Sequence, residues 1–492
     1  MFVLPGSATR PTQASTRTGN AGARTPSVVI AALALSGAVA GAAPAAAQSA
    51  AVAEAPARAD LVAGIDSIVN AALAQPGSAP GLSVAVVQGG DTLVMKGYGL
   101  ADVEHQVPVT DRTVFRIGSV TKQFTAAAVM KLVEEGKISL DATIADYLPD
   151  YPESGRNVTI HQLLNHTSGI PSYTGMGERF WDRSRLDLTH EQMLELFASD
   201  SLEFASGSQW AYNNSGYYLL GVILEKVVGK PYEEHLDSTQ WDALGLDQTS
   251  YCRQREVIPH RAEGYDSEDG ELIHAAPLSM NPPGAAGALC STARDLVHWA
   301  HALASGRVVS DASFDRMTEV TRLSDGKTQN YGYGLMPGEL EGHAVVQHGG
   351  GINGFAAQLT TYPDDDLMIV VLANGPTNPG RLEQAIARKV LGLAPPPQVL
   401  DLPTTAEQRA VYVGRYDLAP TMPIQISVFE RDERLIAQAA GQGPLTLRYQ
   451  GGHTFAGPDG VGITIEFTVE GGKATSFTLA QGGTSIVGRR VE

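Results

Sequence analysis

"FRIGSVTKQF" (residues 115–124) sets a serine and a lysine three positions apart, Ser119 and Lys122, at the foot of a segment with helical period. Residues i and i+3 of a helix share a face, so a serine in the first turn has the amine within hydrogen-bond reach. The helix N-terminus also stabilises negative charge developing beside that serine. Phe124, Ala127, Ala128, Val129, Leu132 and Val133 follow as a buried-face pattern that would hold such a helix, and with it the pair. A second reading fits the same letters, with Ser119 as an N-cap and Lys122 as a solvated side chain. The spacing recurs at Ser324 and Lys327 in "RLSDGKTQ", where Asp-Gly makes a turn and no apolar helix follows. Spacing alone therefore leaves the function of Ser119 open.

Upstream, "GLSVAVVQGGDTLVMKGYG" from Gly81 alternates apolar residues around a Gly-Gly-Asp turn, the mark of an antiparallel hairpin. Downstream to about Leu220 the period is helical, in "KQFTAAAVMKLVEEGK", "TIHQLLNHTSGI" and "NNSGYYLLGVILEKVVG". Residues 331–374 return to strands, notably "FAAQLTTYP" and "LMIVVLAN". Strands, then helices, then strands predict an α+β fold, with helices packed on a mostly antiparallel sheet that closes when its C-terminal strands return. The helix "GRLEQAIARKVLG" leads into the proline cluster "LAPPPQVLDLP", read as a semi-rigid linker over 396–402. Beyond it, "PIQISVFE", "RLIAQAA", "LTLRYQ", "HTFAG", "GITIEFTVE" and "ATSFTLA" are short alternating strands between glycine-rich turns, a small barrel or sandwich over 403–492. That region holds no catalytic constellation.

Two further patterns can carry chemistry. Tyr212 and Asn214, in "WAYNNSGYYLLG", form the only Tyr-x-Asn of the chain, on a loop entering a helix. A tyrosine relays protons to a serine if a neighbouring cation lowers its pKa; equally, Tyr212 fits as a core residue with Asn214 as an N-cap. In "VVQHGGGINGF", His348 precedes Gly349, Gly350 and Gly351 in what is otherwise an apolar strand. Glycine there marks close approach of a ligand or another backbone, while a hairpin bulge with a surface histidine is the blander alternative.

Taken in order, Ser-x-x-Lys, Tyr-x-Asn and His-x-Gly resemble the serine hydrolases related to class C β-lactamases and penicillin-binding proteins, whose third motif is Lys-Thr-Gly or a histidine variant. The resemblance spans about residues 60–390 and includes "VTIHQLLNHTSGIPSY", "GALCSTARDLVHW" and "HGGGINGF". It implies a β-lactamase/transpeptidase-like hydrolase domain over 58–395. It also implies an acylated nucleophile at Ser119, Lys122 assisting its deprotonation, and Tyr212 as general base and acid. Asn214, His348, Gly349 and Gly350 would bind substrate, and the backbone N–H groups of Ser119 and Gly351 would form the oxyanion hole. A lysine in the third motif would be a fixed positive charge for a substrate carboxylate, whereas His348 is only partly charged near neutral pH. The resemblance therefore implies ester or peptide-like substrates ahead of β-lactams, with weak β-lactamase activity as an alternative.

Composition bounds the remainder. With 492 residues, 43% hydrophobic and 18% charged, the chain is globular and long enough for more than one core. The first 47 residues contain no acid, three arginines (Arg10, Arg17, Arg24), an apolar run and a small-residue site ending at Ala47. This reads as a cleavable signal peptide and predicts a periplasmic or secreted enzyme without a stable membrane span. Its removal leaves a body three charges more negative than the −18 of the whole chain, with no footprint for nucleic acid or an anionic membrane. Cys252 and Cys290 can make one disulfide at most, and their pairing stays open. His161 with His166, and His298 with His301, lack the spacing of a metal site, so neither metal nor cofactor is expected. No G-x-S-x-G elbow occurs.

The leading expectation is an exported serine hydrolase acting through an acyl-enzyme on an ester, a D-amino-acid amide or peptide, or a peptidoglycan fragment. The alternatives are a non-catalytic binding or regulatory protein on the same fold, and a C-terminal module that binds lipid or saccharide and delivers it to the hydrolase. Oligomeric state is left open.

Overall fold

The structure is a computed structural model that describes residues 45–268, 270–395, 399–418, 425–439, 444–457, 463–481 and 484–491. The signal-peptide expectation falls almost wholly outside these residues, as does the centre of the linker, 396–398. The chain divides into Met1–Glu54 and Ala55–Glu492. Of the first unit the described part, residues 45–54, is helical; everything below concerns the second.

Its centre is a seven-stranded antiparallel sheet in the order Met336–Leu340, His343–Ile352, Phe355–Tyr362, Leu367–Ala373, Gly81–Gln88, Asp91–Asp102, Val107–Pro108. The predicted hairpin forms, with Gly89 and Gly90 at φ 58° and 78° in the two-residue turn, the positive angles that match strand twist. Closure comes from pairing Gly81–Gln88 with Leu367–Ala373, register Leu82↔Ala373 to Gln88↔Leu367. Two-residue periodicity sorts each central strand between two cores. Leu82, Val84, Val86, Ile369 and Val371 face Ile65, Val69, Leu382 and Ile386 of the terminal helices. Ala85, Val370 and Leu372 face the helical layer.

The helix Thr121–Glu134 departs from the amphipathic expectation, because every residue from Thr121 to Met130 is buried. It runs through the middle of the helical layer, where Phe124 stacks on Trp299 with ring centroids 3.8 Å apart. A helix enclosed on all sides shows no one-sided apolar stripe, which is why Lys122 is not in solvent.

The C-terminal region is a closed eight-stranded barrel from Gly414–Asp417 to Thr484–Arg490, sealed by Tyr416↔Arg490. Sequence periodicity finds six of its strands. Gly414–Asp417 is too short, and Thr484–Arg490 too rich in arginine at its end, to alternate visibly. Tyr416, Phe455, Phe467 and Phe477 fill the barrel. Cys252 and Cys290 are buried free thiols. Among the described residues no helix is long and apolar enough to cross a membrane.

Candidate active site

Ser119 sits in the single turn Gly118–Val120 that precedes the helix Thr121–Glu134. Val120, not Ser119, is the residue before the helix, and no side chain caps it, so the hydroxyl is free for other partners. The turn is fixed from both sides. Ile117 N–H donates to Leu289 O at 3.0 Å, and the strand His343–Ile352 lies against the turn itself. A Cβ on Gly350 would stand 2.0 Å from Ile117 O and 3.1 Å from Ser119 N, and one on Gly118 2.9 Å from Gly351 N. Glycine is thus required where two backbones touch. The glycine run is neither a bulge nor a turn: Gly349, Gly350 and Gly351 pair in register with Gln358, Ala357 and Ala356.

Lys122 is fully buried. Its Nζ lies 3.2 Å from Ser119 Oγ, 2.8 Å from Asn214 Oδ1 and 2.9 Å from Ala286 O. Burial holds its pKa well below the ordinary lysine value, because the charged form loses solvation. Asn214 Oδ1 and Ala286 O hold the amine from two sides and so fix its approach to Ser119 Oγ, and the lowered pKa makes it a readier acceptor for the Ser119 proton.

Tyr212 and Asn214 are placed by the loop after His161. Ala211 N–H donates to His166 O (3.0 Å), Asn213 N–H to His166 Nδ1 (3.1 Å) and Asn214 N–H to Ser172 Oγ (3.2 Å). Asn213 also donates to Ile170 O. It is Asn213 that caps the following helix, accepting from Gly216 N–H, which frees Asn214 to hold Lys122 with its oxygen and Thr174 Oγ1 with its nitrogen. The Tyr212 ring lies 4.7 Å from Lys122 Nζ, and its hydroxyl interacts with Ser119. The residue exposes 36% of its surface, yet it packs against His166, Tyr331 and His348. Desolvation raises its pKa above the ordinary tyrosine value despite the Ser119 contact, which lowers it. That desolvation opposes the lowering by a neighbouring cation on which a tyrosine proton relay draws.

The expectation for His348 is corrected. It is 2% exposed; its Nδ1–H donates to Gly349 O at 2.6 Å and its Nε2 accepts from Tyr331 O–H at 3.0 Å. Burial, then Lys122, lower its pKa to about 3, so it is a neutral positioning group and supplies no cation. His348, Gly349 and Gly350 stand behind the cleft. Of the glycine run it is Gly351 that lines the cleft, together with Ser119 and Asn214. Lys327 of the second Ser-x-x-Lys pairs with Asp325 at 2.7 Å on an exposed turn, and Ser324 N–H bonds elsewhere, to Gly207 O.

Sequence reasoning missed His166, Ser172, Thr174 and Tyr331. His166 adopts φ 63° and is buried; burial, Lys122 and His348 lower its pKa well below the usual imidazole value. Its only available signal was position, a histidine within "NHTSGIP" just ahead of a glycine and a proline. Among the described residues no three His, Cys, Asp or Glu side chains converge as a metal site.

A buried amine facing a serine at the start of a central helix, with a tyrosine above and a strand backbone opposite, defines the active-site-serine hydrolases with helices packed on an antiparallel sheet. The chain belongs to the beta-lactamase family, whose model matches residues 66–393. It is 28% identical to penicillin-binding protein 4* of Bacillus subtilis (strain 168) over 425 residues, covering 82% of this chain and 93% of that protein. The structure resembles the octameric penicillin-binding protein homologue from Pyrococcus abyssi (TM-score 0.63, 26% identity, 87% of this chain and 99% of that one). It also resembles a D-stereospecific amidohydrolase from Streptomyces sp. (TM-score 0.59, 28% identity, 68% and 99%).

Proposed function

We propose that the protein is an exported serine acyl hydrolase that cleaves ester or amide bonds through an acyl-enzyme on Ser119. The observation that carries this reading is the geometry at Lys122: its Nζ is held by Asn214 Oδ1 at 2.8 Å and Ala286 O at 2.9 Å, with Ser119 Oγ 3.2 Å away. In acylation Ser119 Oγ attacks the substrate carbonyl and its proton passes to the Lys122 lone pair. The oxyanion is held by the N–H groups of Ser119 and Gly351. As the tetrahedral species collapses, the leaving oxygen or nitrogen takes the Tyr212 hydroxyl proton, and Lys122 re-protonates Tyr212. Water then attacks the acyl carbon; its proton returns through the same pair, and Ser119 leaves as the hydroxyl. Asn214 holds the amine in line. The Streptomyces amidohydrolase supports an amide among the substrates, and the signal-like N-terminus supports export. Domain limits of 58–395 for the hydrolase, 396–402 for the linker and 403–492 for the barrel belong to the same proposal.

A fluorophosphonate probe tests it. Covalent labelling of the wild type and none of Ser119→Ala is expected, and equal labelling of the two proteins would overturn the assignment.

A further inference from the structure

Resting on the acyl-enzyme reading, we infer that the cleft before Ser119 selects uncharged acyl groups with a bulky apolar or aromatic end and rejects acyl groups bearing a carboxylate or an ammonium ion. The cleft holds about 250 Å³, and none of the side chains lining it is charged. Tyr173, Phe180, Trp181, Leu278 and Ile352 make its wall.

Three basic side chains near the cleft are engaged elsewhere. Lys122 is held between Ser119, Asn214 and Ala286. Arg179, on the same four-residue helix as Phe180 and Trp181, forks onto Asp200 at 2.7 and 3.3 Å. His348 is buried between Tyr331 and Gly349. An acyl group carrying either sign of charge would therefore lose its hydration in the cleft and meet no counter-ion among the side chains that line it.

The apolar wall is built to touch something. The Phe180 ring centroid lies 4.9 Å from that of Tyr173 and 4.9 Å from that of Trp181, so Trp181 rests on a fixed aromatic base. Yet Trp181 stays 46% exposed. A tryptophan half-exposed at the mouth of an uncharged cleft offers an aromatic or branched acyl end a large apolar contact. A carboxylate next to the scissile bond, as in a penicillin, meets no cation in the lining.

The test uses p-nitrophenyl esters on the full chain: propanoate against 3-phenylpropanoate, and hexanoate against its monoadipate and 6-(trimethylammonio)hexanoate analogues. The kcat/KM for hexanoate should exceed both charged analogues by about 100-fold. 3-Phenylpropanoate should exceed propanoate, and Trp181→Ala should reduce that ratio by about 10-fold. Ile352→Arg, which supplies a cation at the wall, should raise monoadipate relative to hexanoate, and this second variant keeps the test sound if Trp181→Ala folds poorly. Charged esters turned over within about threefold of hexanoate would overturn the inference. Fluorophosphonate labelling of the same samples separates the two readings. Labelled protein without charge discrimination sinks this inference alone, whereas absence of label together with absence of ester turnover sinks the acyl-enzyme.

Discussion

Gly350→Ala probes the seam on which the site depends. The added Cβ would lie 2.0 Å from Ile117 O, 3.0 Å from Ile117 C and 3.1 Å from Ser119 N. Reaching an ordinary contact near 3.4 Å requires a separation of about 1.4 Å. Neither side gives easily. Ile117 is hydrogen-bonded to Leu289, and the glycine strand is paired along its length with Phe355–Tyr362. The separation therefore falls between the Ser119 and Gly351 N–H groups. A misplacement of about 1 Å costs on the order of 10²-fold in rate, and loss of one oxyanion donor about 2.7–4 kcal/mol. The expected outcome is a fall in kcat of about 10²-fold or more on p-nitrophenyl hexanoate, with stability lower by about 1–3 kcal/mol from overpacking. Gly349→Ala is the control, since its Cβ meets the Gln358 Oε1 tip at 3.0 Å and otherwise nothing nearer than 3.8 Å; kcat there should stay within about threefold. Full kcat in Gly350→Ala, or equal damage from Gly349→Ala, would refute the reasoning.

Lys122→Met should slow acylation by about 10²–10⁴-fold, read as the rate of fluorophosphonate labelling; a loss under tenfold would remove Lys122 from the base role. Glu383 is 1% exposed and accepts from Tyr362 O–H at 2.9 Å, and burial pushes its pKa up to about 8. Because the folded value is raised, its contribution is whole below pH 4.5 and is lost as pH climbs through 8. Glu383→Gln, which stays neutral, should flatten the urea-unfolding profile over that window by several kcal/mol, and an unchanged profile would argue against the buried acid. For His348 the sign reverses. Its folded value is depressed from 6.5 to about 3, so stability is whole above pH 6.5 and falls as pH drops toward 3. His348→Gln should lose less stability on acidification, and a wild type that is flat between those limits would mean the imidazole is solvated.

The sheet was legible because both central strands, Gly81–Gln88 and Leu367–Ala373, are short apolar runs bounded by turn residues, and that signal survives without a partner. The barrel strands of moderate length were legible from their alternation between glycine-rich turns. Lys122 shows where such reading stops. A lysine in a helix pattern looks solvated, and only the crowding of that helix by its neighbours, far away in sequence, makes it a buried amine of lowered pKa. His348 and Tyr212 were found by pattern, but the shifts in their pKa follow from burial, and for His348 also from Lys122, which no local window contains. His166 and Tyr331 were missed because their importance lies wholly in what they touch.

The seam between Gly350 and the Ser119 turn also bears on how the protein matures. The serine is made early and the strand that completes its pocket late, and in the folded sheet that strand is tied to Gly81–Gln88 through Phe355–Tyr362 and Leu367–Ala373. Contacts so distant in sequence form slowly, since loop-closure entropy must be overcome first. A partly synthesised or partly refolded chain would therefore have a serine without the Gly351 oxyanion donor and should acylate poorly on encountering a reactive ester. A fluorophosphonate pulse during refolding becomes, in effect, a clock for completion of the pocket, with covalent label marking the molecules in which the glycine strand has reached the serine turn.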